Sequence, residues 1–471
     1  MKKYVVFAFS QLLFWSITPF VAQEKVPLLT GKVKISIAEG TFDCDLTLQN
    51  IPQLENYFLR LNSGMNILHF KSVKPDEFMI YYDKSLYDTL STGESNAYFF
   101  PTNDRKSKFL PEAVRVKYVG KFPVVADTIE DYSRKDWKGN IAFNHNSVRT
   151  DGMQTAWYPV LYDIENDKIY EHVRYDLEIV CEDCSTLYVN GNAPVKATHA
   201  TLKSDIPQEL TLFCGDYDFS EIGETYILNP GITDEQIREF SELINTYKAF
   251  YTQKLSLPFD QPVTFVQTTP TSRKDGWLYV SYPTIVSIGW GENGLESLFD
   301  PRLQNWYRPF IAHELGHYYF GNYKVFNADL GDMMSEGFAE YLALQLTKEL
   351  IGKEVYTKLI RTKIEDLKGF NPVPFGKVRS ASDYNDRELY VYYYAPLIFS
   401  AIEKEIGEER MWEWLKTILM TPVRFTNYQF LVETLEKTLA DNPKQLSAIK
   451  ATYFETKHAL KNAIKTVEKN E

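Results

Sequence analysis

The sequence predicts an α+β protein in two parts, a β-rich first half followed by a mainly helical second half. Two observations carry this reading. From residue 31 to about 228, apolar and polar residues alternate with a period of two, the signature of half-buried antiparallel strands. Near residue 229 the period changes to three or four, the signature of amphipathic helices. The 471 residues are enough for two or three domains, each with its own core.

The elements follow in order. Met1-Lys2-Lys3 is a short basic start, and Tyr4 to Ala22 is almost wholly apolar. Residues 1–22 therefore read as a secretory signal peptide, with an uncleaved membrane anchor as the alternative. The mature chain is expected in the periplasm or outside the cell. Residues 23–222 form the expected β-rich domain. Val33, Ile35 and Ile37 alternate with Lys32, Lys34 and Ser36, and Val114, Val116 and Tyr118 alternate with Arg115 and Lys117. Tyr175, Leu177 and Ile179 do the same with Asp176, Glu178 and Val180, and Asn190-Gly191-Asn192 marks a turn. In an export compartment, Cys181 and Cys184 are better read as disulfide partners of each other, of Cys44 or of Cys214 than as a zinc knuckle, since no second pair completes one.

Residues 223–471 form the second expected domain. Asn229-Pro230-Gly231 breaks the chain, and Thr233 with Gln236 three residues on reads as a capping box. Ile237, Phe240, Ile244, Tyr247 and Tyr251 then share one helix face. Val263–Val266 and Trp277–Ile288 are strand-like, and the rest is mainly helical to a charged amphipathic helix over Gln445–Glu471.

Composition narrows the function. The chain is 44% hydrophobic and 24% charged, which excludes a disordered or polytopic membrane protein. Its 51 basic and 63 acidic residues leave a net charge of −12, which disfavours nucleic acid and anionic membrane surfaces.

The chemistry concentrates in His313-Glu314-Leu315-Gly316-His317, which uses two of the seven histidines. On a helix, positions i and i+4 lie on one face, so both imidazoles reach one metal ion. Glu314 leans toward the same space and can take a proton from water there. A catalytic zinc site needs a third ligand and an open fourth position. Eighteen residues, Tyr318 to Ser335, separate His317 from Glu336, which sits in a second helix-like stretch, Met333 to Tyr341. Antiparallel packing of the two helices brings Glu336 opposite the histidines. Glu340, one turn later, is placed to accept from a ligand imidazole or to stay on the surface.

This motif, eighteen residues and then Glu-Gly-Phe-Ala resembles the gluzincin aminopeptidases, the aminopeptidase N and leukotriene-hydrolase group. Ala156-Trp157-Tyr158-Pro159-Val160 and Leu212-Phe213-Cys214-Gly215-Asp216-Tyr217 are similar to the strand and the exit of that family's β domain. Tyr392 to Phe399, followed by Ile406-Gly407, resembles its tyrosine helix. The resemblance implies a saddle-like antiparallel β domain, then a thermolysin-like catalytic domain without the family's C-terminal helical domain. It implies one zinc ion on His313, His317 and Glu336, with Glu314 as general base. It implies a tyrosine that donates to the oxyanion, which is Tyr393 if Pro396 takes the place of the family's Gly, with Tyr392 and Tyr394 as alternatives. Gly289-Trp290-Gly291-Glu292-Asn293 stands nearest to the family's amine-binding segment, with Gly291 in place of Met, so Glu292 is the candidate anchor for a substrate amine. Met333 and Ser335 replace the family's Trp and Asn before the third ligand. The expected activity is that of a secreted zinc peptidase acting on peptide or protein substrates, most simply an aminopeptidase. An endopeptidase of the same fold and a non-catalytic scaffold are the alternatives.

Overall fold

The computed structural model describes residues 26–469 apart from 74–76, 86–94, 103–110, 126–140, 145, 224, 269–276 and 289–293. Residues 1–22, read from the sequence as a signal peptide, and Glu292 lie outside the described residues. Among those described, no helix is long and apolar enough to cross a membrane.

Among the described residues, the first part holds three sheets. The largest has six strands in the order His199–Glu209, His172–Cys181, Leu28–Ser36, Thr41–Gln49, Val114–Lys121 and Met65–Ser72. The period-two residues behave as their pattern requires: Val33, Leu46, Val116 and Leu177 are buried, while Lys32 pairs with Glu178 and Arg115 with Asp45 on the wet face. Two pairings among the described strands of this part depart from the antiparallel expectation; one joins Val124–Val125 to Ala142–Asn144, and the longer lies in this sheet. Leu28–Ser36 runs parallel to His172–Cys181, with Val33 opposite Ile179. The alternation fixes which face of a strand is buried, but a neighbour's direction is set by the crossover that joins them.

Trp157 lies at the centre of this part. Its indole nitrogen donates to the Leu210 carbonyl at 2.7 Å, and the Tyr118 hydroxyl donates to the Trp157 carbonyl at 2.7 Å. The expected disulfides are absent. All four cysteines are free and buried, and the Cys184 thiol donates to the Cys181 carbonyl at 3.2 Å.

The second part opens with a five-stranded sheet in the order Phe219–Ile222, Thr225–Leu228, Thr264–Thr268, Thr284–Ile288 and Trp277–Ser281. Its first hairpin lies astride residue 223, so Phe219–Ile222 belongs to this sheet. Trp277–Ile288 is two antiparallel strands, broken at Tyr282-Pro283. Proline supplies no amide to a ladder, so the run turns there.

The helix Asp234–Leu255 starts with the Thr233–Gln236 capping box, and Ile237, Phe240, Ile244, Tyr247 and Tyr251 are all buried. Beyond Gln445 the single amphipathic helix is instead three pieces, Pro443–Ile449, the π-helical turn Lys450–Phe454 and Ala459–Glu468. The two parts meet over Tyr188, Phe213 and Tyr217, which pack against Leu228, Val266, Val286 and Ile288. Polar clamps reach further. Asn327 donates to the carbonyls of Asn166 and Asp167, and the Ala328 amide donates to the Asp167 carboxylate at 2.7 Å. These bonds hold the connector between the two helices that carry the candidate ligands.

Candidate metal centre

His313 and Glu314 lie in the last turn of the helix Gln304–Gly316, and His317 caps its end. Glu336 and Glu340 lie one turn apart on the helix Gly331–Leu346. Small residues let these helices approach: a side chain on Gly316 would stand 3.2 Å from the Ala339 backbone. Behind the second helix, Gly337 faces Ala395 on the helix Ala395–Ile406, where an added Cβ would come within 2.9 Å. The Phe338 and Phe399 rings stack at 4.1 Å across the same contact. From the other side, the Tyr251 hydroxyl donates to the Ala312 carbonyl at 2.8 Å and steadies the histidine turn.

The outcome is a convergent donor set. His313 Nε2 and His317 Nε2 are 3.1 Å apart, and Glu336 Oε2 lies 3.4 Å from the first and 3.2 Å from the second. Among the described residues, His313, His317 and Glu336 are the one group of three such side chains whose ligand atoms lie within 4.8 Å of one another. Two nitrogens about 2.0–2.1 Å from a tetrahedral zinc stand about 3.3 Å apart, so the spacing fits. The far sides of the rings fit too. His313 Nδ1 meets Glu340 Oε2 at 2.8 Å, and His317 Nδ1 meets the Phe320 carbonyl at 3.0 Å. Acceptors at both Nδ1 atoms hold the protons there and turn Nε2 lone pairs to the centre. Glu340 thus pairs with the candidate ligand His313 and does not stand free on the surface.

Charge around the donors is tightly balanced. Burial pushes the Glu336 carboxyl up, but His317 and His313 outweigh it and hold it well below the usual range. Burial likewise raises Glu340, while Lys363 and His313 bring it down to about 2. Burial lowers His313, yet its hydrogen bonds to Glu336 and Glu340 lift the metal-free imidazole to about 10. Glu314 is 4% exposed, and burial raises its carboxyl against the pull of both histidines. That environment suits a base that must also release its proton.

Two cations were not legible as site residues in the sequence. Arg387 grips Asp332 with two bonds of 2.9 and 2.6 Å and reaches Glu336 Oε1 at 3.1 Å. With Oε1 so held, Oε2 alone faces the imidazoles. Lys363 Nζ sits 2.6 Å from Glu340 Oε1. Asp332 one turn before Glu336 is the sole local hint, because Arg387 lies 51 residues from the carboxylate it holds.

The three candidate tyrosines lie in different surroundings. The Tyr392 ring is 5.7 Å from the His313 ring, and its hydroxyl lies 3.5 Å from Arg387 Nη1. Tyr393 instead covers Lys363 at 4.8 Å, and Tyr394 packs into the core on Phe375 and Tyr390. Tyr392, not Tyr393, faces the donor set. The three lie in a π-helical turn, Leu389–Tyr394, whose wider winding shifts the phase that an α-helix would give.

No protein family's sequence profile matches the chain, and no curated protein matches it. Solved structures do. Yeast LTA4 hydrolase in complex with bestatin superimposes with a TM-score of 0.65 at 11% identity, over 90% of this chain and 66% of that one. An M1 zinc metallopeptidase from Deinococcus radiodurans gives 0.60 at 12% identity, over 90% of this chain and 93% of that one. The chain has the M1 zinc metallopeptidase fold. It spans just under two-thirds of the yeast enzyme's length and nearly all of the bacterial one's. Within the M1 fold, the β-rich part and the helical part keep the order expected from the sequence.

Proposed function

We propose that this chain is a zinc-dependent peptidase, exported by its N-terminal segment, that removes residues from the free N-terminus of peptides. The observation that carries the proposal is the convergence of His313, His317 and Glu336 with Glu314 buried beside them. One zinc ion held by these three side chains would supply Lewis acidity and lower the pKa of water at the site. Glu314 takes the proton of the attacking water and passes it to the leaving amine. Tyr392, whose hydroxyl burial keeps protonated, donates to the oxyanion that develops on the peptide carbonyl. Arg387 and Glu340 keep the ligand side chains in place. A mutant of the Deinococcus radiodurans M1 zinc metallopeptidase is bound to a Tyr-Ser-Ala substrate, which supports a short peptide with a free amine as the substrate class here.

The test is hydrolysis of matched free and N-acetylated fluorogenic peptides by the purified chain, with zinc and with a chelator. Chelator-sensitive cleavage of the free-amine set alone is expected. Cleavage of the acetylated set would make the chain an endopeptidase. Silence on both with zinc bound would leave the scaffold reading.

A further inference from the structure

Pro396 has no amide hydrogen and its ring crowds the carbonyl four residues earlier, that of Tyr392. The chain winds here as the π-helical turn Leu389–Tyr394, and the Tyr392 carbonyl accepts from a side chain of another helix. Lys363, on the helix Lys353–Asp366, gives that hydrogen bond at 2.8 Å. The same ammonium meets Glu340 Oε1 at 2.6 Å, and Glu340 Oε2 meets His313 Nδ1 at 2.8 Å. The Tyr393 ring covers its remaining side at 4.8 Å. Lys363 is only 7% exposed. Packing alone would not place a charge there, because an apolar side chain fills such a space without the cost of desolvation.

We propose that Lys363 is a positioning residue that couples the metal site to Tyr392. It orients His313 through Glu340 on one side and fixes the backbone of Tyr392 on the other. A single buried ammonium thereby sets the spacing between a metal ligand and the oxyanion donor, two groups that come from different helices. This inference rests on the zinc-peptidase reading above.

The experiment uses the full chain and two variants. Lys363→Met leaves Glu340 charged and buried. The Lys363→Met/Glu340→Gln double variant removes both charges, so it keeps the question answerable if the single variant does not fold. Circular dichroism checks the fold. Zinc affinity is read by competition with a chromophoric chelator, and the visible spectrum of the cobalt-loaded protein reports ligand geometry. Zinc affinity is expected to fall ~10–100-fold in both variants, with an altered cobalt spectrum. On a peptide that the parent cleaves, kcat at saturating zinc should fall about tenfold with KM within about twofold, as for a displaced transition-state donor. A folded double variant with parental zinc affinity, cobalt spectrum and kcat would overturn the role of Lys363 and leave the peptidase reading intact. A parent chain that binds no zinc would overturn both.

Discussion

Replacing Tyr392 by Phe separates catalysis from stability. The Tyr392 hydroxyl lies 3.5 Å from Arg387 Nη1, at the outer limit of a hydrogen bond, so its removal should cost under about 1 kcal/mol of folding free energy. The ring keeps its packing beside His313, 5.7 Å between centroids. Catalysis should suffer far more. Loss of one donor aimed at an oxyanion typically lowers kcat ~10²–10³-fold, about 2.7–4 kcal/mol of transition-state stabilisation. Tyr393→Phe is the matched control. Its ring still covers Lys363, so kcat should stay within about twofold. The assay is steady-state hydrolysis of a free-amine peptide, with zinc content and melting temperature measured on each protein. A zinc-loaded Tyr392→Phe protein with parental kcat would refute the assignment, as would a large loss confined to Tyr393→Phe.

Four further outcomes are expected. Glu314→Gln should retain zinc, since Glu314 is outside the donor group, yet lose ~10²–10⁴-fold in kcat. Arg387→Met frees Glu336 Oε1 and should weaken zinc binding about tenfold or more in a chelator competition. In the metal-free protein, His313 is raised from the usual histidine range to about 10. A raised histidine stabilises fully below its unfolded pKa and loses that contribution as pH climbs through the folded one. The melting temperature measured in chelator should therefore decline from about pH 6.5 towards pH 10, while zinc, which must displace the proton, should bind more tightly over the same window. Gly337→Ala would bring a methyl within 2.9 Å of Ala395 and should cost about 1–3 kcal/mol by thermal or denaturant melting.

Much of the site was legible because its grammar is local. The i, i+4 histidines, Glu314 between them and the capping box at Thr233 all follow from helical geometry over a few residues. Glu336 was found by its distance along the chain, and the structure brings it to the His pair as antiparallel packing requires. Glu340 was singled out by its turn spacing, but whether it faced inward was open until the helices were packed.

What the sequence determined by itself was therefore the order of the β-rich and helical parts, which face of the periodic strands and helices is buried, and which donors share a helical face, because these obey periods of two and 3.6 residues. Tertiary structure alone decided the rest. The parallel pairing of Leu28–Ser36 with His172–Cys181 depends on a crossover of more than a hundred residues. That Tyr392 and not Tyr393 lies beside His313 goes with a π-helical turn that resets the helical phase. Arg387 reaches Glu336, and Lys363 reaches Glu340, from other helices. Nothing periodic marks a lysine or an arginine as the partner of a distant carboxylate; only the closed core brings the charges within reach, where the low dielectric makes their pairing count.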